Sequence, residues 1–143
     1  MEAWPTSRIT FARRRGIENV TSRLAKSPER DFAYHCQDWA NNMRAWRTIA
    51  EQLDQARILE VDQRQMLETP EIVGARLGQL LGLTDMQQGT VIKVLCTERP
   101  QENFPGTASR IAGILESGWS TEQIEIFQAI CDEEMIWFGY EDR

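Results

Sequence analysis

Apolar positions along the chain alternate in some stretches and recur at threes and fours in others, and the change of period marks the elements. Residues 8–12, Arg8-Ile9-Thr10-Phe11-Ala12, predict a short strand. The stretch Gly16–Lys26 predicts a helix with Ile17, Val20 and Leu24 on one face, stopped by Ser27-Pro28 because proline cannot continue a helix. The strongest pattern runs from 31 to about 53. There Phe32, Cys36, Trp39, Met43, Trp46, Ala50 and Leu53 recur at intervals of four and three, an apolar helical stripe.

Residues 57–61, Arg57-Ile58-Leu59-Glu60-Val61, predict a second strand. Thr69-Pro70-Glu71 reads as an N-cap with proline at the first helical position. The helix it opens carries Ile72, Val73, Leu77, Leu80 and Leu81 and is closed by Gly82. Thr84 and Gln87 fit a capping box for a helix with Val91, Val94 and Leu95. Residues 97–106 hold two prolines and a glycine and predict a loop, followed by a helical turn near 109–115. Ser120 and Gln123 make a second capping box, opening a last helix with Ile124, Phe127, Cys131, Met135 and Phe138. Strand, helices, strand, helices is an α/β order. Two strands make a small sheet, and parallel strands need helical cover and further neighbours. The pattern therefore predicts a helix-rich partial domain that belongs to a larger α/β layer.

With 143 residues, 41% hydrophobic and 27% charged, the chain fits one domain spanning 1–143 with a core of its own. No apolar run approaches the roughly 20 residues of a membrane span, and the N-terminus lacks a basic-then-apolar leader. Three dispersed cysteines (Cys36, Cys96, Cys131) and one histidine (His35) argue against a disulfide scaffold, a metal cage or a histidine triad. A reducing, cytoplasmic setting and no membrane partner are expected. The net charge of −6 is unevenly spread. Residues 1–30 hold seven bases and three acids, whereas the remainder holds nine bases and nineteen acids. An acidic body disfavours nucleic acid, while a local basic focus suits one small anion.

That focus carries the candidate chemistry. The first strand runs into Arg13-Arg14-Arg15-Gly16 and directly into a helix. A helix start offers N–H groups and partial positive charge to a phosphate, and arginines add two-edged, charge-assisted hydrogen bonds. Gly16 is expected to permit a turn that other residues resist, and Ser22 to add a hydroxyl from the next turns. Composition alone favours the plainer alternative of a solvated basic loop paired with the acidic body.

Arg14-Arg15-Gly16-Ile17-Glu18-Asn19-Val20-Thr21-Ser22 resembles the second cofactor motif of the sulfotransferase family, in which a strand ends in Arg and a Ser follows eight residues later. Further stretches are similar in order: the helix with Trp39 and Trp46, Ile58-Leu59-Glu60-Val61, Leu77 through Leu83, and Trp119-Ser120 through Gly139-Tyr140-Glu141. The resemblance implies a P-loop-like parallel sheet. It implies that Arg14 and Ser22 bind the 3′-phosphate of 3′-phosphoadenylyl sulfate, or of adenosine 3′,5′-bisphosphate, with Arg15 and the Gly16 backbone in support. The family's phosphosulfate loop with its lysine, and its usual catalytic base, lie upstream of this motif and find no counterpart here. Gln63-Arg64-Gln65-Met66 also departs from the family's Tyr-Glu-Asp-Leu. The expectation is a truncated chain, with no catalytic residue and no metal, inactive alone. A completing chain or a second copy would then make up the domain. The alternative is a non-catalytic helical protein-interaction module.

Other patterns have bland readings. Trp39, Met43 and Trp46 read as core. His35 and Asp38 read as a solvated helix pair, and Asp132-Glu133-Glu134 as a solvated face. The three cysteines read as buried thiols, and Gly74, Gly78 and Gly82 as a close helix contact.

Overall fold

A computed structural model describes residues 7–97, 111 and 113–140. In order these form β1 (Ile9–Arg13), α1 (Gly16–Lys26), α2 (Phe32–Ala50), β2 (Ile58–Asp62), α3 (Gln63–Glu68), α4 (Pro70–Leu81), α5 (Asp85–Thr97) and α6 (Thr121–Trp137). Single 3-10 turns lie at Gln55–Arg57 and Ile114–Glu116. The molecule is helix-rich with a two-stranded parallel sheet, a coarse α/β architecture in which Ile9 stands opposite Ile58 and Arg13 opposite Asp62. Among the described residues no helix is long and apolar enough to cross a membrane. The loop expected at 97–106 falls outside the described residues from 98 onward, as do 109, 110 and 112 of the turn that follows and Glu141 at the end of the family-like C-terminal stretch.

The chain divides into two compact units, one holding residues 7–14 and 50–97, the other 15–49, 111 and 113–140. In the first, alternation along β2 buries Leu59 and Val61, which meet Val73 of α4. Met66, Leu77, Leu80 and Leu95 pack around them. Helix α3 has no counterpart among the elements that the hydrophobic pattern predicts. Its signal is Asp62, whose carboxylate accepts the Arg64 N–H at 2.8 Å and so turns the end of a strand into a helix cap. The next helix departs from expectation at its start. Pro70 does stand in the first turn of α4, but the Thr69 hydroxyl donates back to the Gln65 carbonyl at 3.2 Å and caps nothing ahead of it. Thr69 also ends α3, and the carbonyl four residues back takes its hydroxyl.

Gly82 closes α4 in the left-handed region, φ 67°, where L side chains are strained. Gly74 and Gly78 do mark a close helix contact. A Cβ on Gly74 would collide with Ile92, and one on Gly78 would stand 2.7 Å from the Gln88 side chain, both on α5. Gly82 has open space around it, so its role is the cap alone. Helix α5 opens with the expected box: the Thr84 N–H donates to Gln87 Oε1 at 2.9 Å, and the Gln87 N–H to Thr84 Oγ1 at 3.4 Å.

The second unit is built from α1, α2 and α6. The stripe Phe32, Cys36, Trp39, Met43 and Trp46 is buried, as are Ile17 and Val20 of α1 and Phe127, Cys131, Met135 and Phe138 at the α6 end. Trp119 links two of these, its ring centroid 4.9 Å from Phe32 and 5.0 Å from Phe127. The Ser120–Gln123 box is closed from both sides. Gly139, φ 70°, ends this helical stretch as the Tyr140 N–H reaches back to the Met135 carbonyl at 2.8 Å.

Candidate anion-binding site

Strand β1 ends at Arg13, and α1 begins at Gly16 with Arg15 as its N-cap residue. Arg13 turns toward the neighbouring strand, its Nε 3.5 Å from Glu60 Oε2 on β2. Arg14 is half-buried at the strand's end. The division between the two units falls directly after it, so Arg14 belongs to the first and Arg15, Gly16 and Ser22 to the second.

Arg15 is 8% exposed and its guanidinium is engaged on two edges. Nε donates to Glu18 Oε2 and Nη2 to Glu18 Oε1, each at 2.8 Å, and Nη2 also donates to the Ile111 carbonyl. This bidentate pair is made one turn into the helix, where the first N–H groups and the aligned peptide dipoles already favour a carboxylate. An α-helix advances 100° per residue, which sets Arg15, Glu18 and Ser22 along one side of α1. Ile17, Val20 and Leu24 fall on the opposite side.

Gly16 is not in the left-handed region, so the expected turn is not what requires glycine there. The requirement is proximity. A Cβ at Gly16 would stand 2.9 Å from Phe127 Cζ and 3.2 Å from Met135 Sδ, so the start of α1 is pressed onto α6.

The solvated His35–Asp38 pair does not form. His35 is 2% exposed, and its Nε2 lies 3.2 Å from the Ser27 carbonyl, which makes that nitrogen the donor. Asp38 instead pairs with Arg23 of α1. The acidic run 132–134 is likewise not a solvated face throughout, because Glu134 is fully buried, 3.1 Å from Arg44 Nε and 3.5 Å from Arg47 Nη1 of α2. The signal lay in spacing: Glu134 sits three residues after Cys131 and four before Phe138, on the apolar stripe itself. Glu18 was legible by the same means, three residues after Arg15.

Cys36 and Cys131 are buried as expected, with the Cys131 thiol 3.6 Å from the Cys36 carbonyl. The hydrogen bond with Cys36 and burial push the Cys131 thiol far above its ordinary range. Cys96 is exposed on α5, contrary to the reading from periodicity. Its neighbours Val91, Val94 and Leu95 are only half-buried, so the apolar face there is shallow. Among the described residues, no group of three His, Cys, Asp or Glu side chains is placed to hold a metal ion.

No protein-family model matches the chain, and no curated protein or solved structure does either.

Proposed function

We propose that the chain is a sulfotransferase-family protein that binds the 3′-phosphate of 3′-phosphoadenylyl sulfate, or of adenosine 3′,5′-bisphosphate, through Arg14 and Ser22. The observation that carries this reading is the passage from strand to helix. A strand paired in parallel with its neighbour ends in arginines and leads within two residues into α1, with Ser22 on that helix. Arg14 supplies a fixed positive charge and a planar donor fork, and Ser22 a hydroxyl that donates to a phosphate oxygen. Arg15, whose guanidinium meets Glu18 and the Ile111 carbonyl, stands in this reading as a supporting donor to the phosphate. Gly16 allows that start to lie against Phe127 and Met135, and its N–H remains a supporting donor in this reading.

The same reading takes the sheet as P-loop-like, the setting as cytoplasmic, and a further chain or second copy as the source of the remaining groups. Sulfuryl transfer needs positive charge at the transferring group and a base for the acceptor hydroxyl. No residue is assigned either part, and the proposal concerns donor binding.

Calorimetric titration with adenosine 3′,5′-bisphosphate tests it, comparing the wild-type chain with Arg14→Ala and Ser22→Ala. A hydrogen bond to a charged group contributes about 1.5–3 kcal/mol. Each substitution is therefore expected to weaken binding by about tenfold or more. A folded wild-type chain that gives no heat, or two variants that bind as well as wild type, would overturn the reading. The interaction-module alternative would then take its place.

A further inference from the structure

The side of α1 that carries Ser22 also carries a built-in anion. Glu18 lies in the helix's first turn, one turn before Ser22, and both its oxygens are held by Arg15 at 2.8 Å. The two side chains are 16% and 8% exposed, so solvent and salt screen the pair weakly. We infer that Glu18 is an internal competitor for the anion bound at this site, an autoinhibitory carboxylate that occupies Arg15 while the site is empty. The inference rests on the reading that a ligand phosphate is held at Ser22. A phosphate entering beside Ser22 meets an arginine whose charge is already neutralised and a carboxylate that repels it. It gains Arg15 as a ligand only by displacing Glu18. The exchange forms and breaks ionic hydrogen bonds alone.

Glu18→Gln keeps the side chain's shape and removes the competing charge. At effective dielectric values typical near a protein surface, one carboxylate fewer beside a phosphate is expected to tighten adenosine 3′,5′-bisphosphate by about tenfold. Because the gain passes through Arg15, the double variant Arg15→Gln/Glu18→Gln is expected to bind no tighter than wild type. Circular dichroism checks that each variant is folded. Should Glu18→Gln fail to fold, Glu18→Asp serves, since its carboxylate, one methylene shorter, reaches the Nε–Nη2 edge less well and a smaller tightening is expected. Binding by Glu18→Gln at or below wild-type affinity overturns the competitor role and leaves the 3′-phosphate reading standing, as does tightening that survives in the double variant. An absence of binding in wild type and Glu18→Gln alike overturns both.

Discussion

Gly16 owes its place to a neighbour. Phe127 and Met135 approach so closely that one methyl group must displace them, and α6 is anchored by its capping box and buried stripe. Overpacking of this kind costs about 1–3 kcal/mol. Gly16→Ala is expected to lower the urea midpoint accordingly at unchanged slope, and an unchanged midpoint would contradict the packing account. Thiol chemistry separates residues in the same way. Cys36 and Cys131 are buried and Cys131 is held as the neutral thiol, whereas Cys96 is exposed. A disulfide reagent is expected to label Cys96 in the native chain and the other two only on unfolding. Rapid labelling of Cys131 would show that the α2–α6 contact opens readily.

Elements were largely legible because period and caps act locally. The ranges predicted for α1 and both strands agree with the structure to within a residue, and the boxes at Thr84 and Ser120 close as their sequences imply. What escaped was decided by competition or by tertiary contact. Asp62 ends a strand and caps a helix at once, which hydrophobic period does not register. Thr69 had two candidate partners for one hydroxyl, and the rearward one won. Glu134 reads as surface by residue type, and Arg44 and Arg47 on another helix make its burial tolerable.

That clamp between α2 and α6 is testable. Removing one member of a fully buried ionic group costs about 3–5 kcal/mol; Arg44 and Arg47 keep solvent contact and Arg47 keeps Glu133, so Glu134→Ala is expected to cost less, about 1–3 kcal/mol in chemical denaturation. A loss below about 1 kcal/mol would show that the arginines are solvated instead. Nearby Glu133 has its carboxyl held below the usual carboxylate range, first by its hydrogen bond to Arg47 and then by that residue's charge. A lowered folded pKa means that the unfolded chain binds more protons. The contribution is present above the ordinary carboxylate pKa and is lost as pH falls through the lowered one. Arg47→Gln is expected to flatten the acid side of the stability profile, and an unchanged acid limb would remove Arg47 as the cause.

At the scale of the whole molecule, charge and chain order carry the functional argument. Seven bases stand against three acids in the first 30 residues, against a strongly acidic remainder, and three of the seven, Arg13 to Arg15, lie at the strand-to-helix passage. The sequence made that passage and its Arg14–Ser22 spacing visible. The i,i+3 spacing offered Glu18 as one partner for Arg15, but which partner a guanidinium takes, and how deeply the pair is buried, depends on which side of the helix is covered. The central claim is that this chain recognises a 3′-phosphate. The most direct measurement is its affinity for adenosine 3′,5′-bisphosphate beside that for adenosine 5′-monophosphate, which differs by that one group. The account predicts preference for the bisphosphate by about tenfold or more, the worth of one charge-assisted hydrogen bond. Equal affinity for the two, or binding of neither by a folded chain, would contradict it.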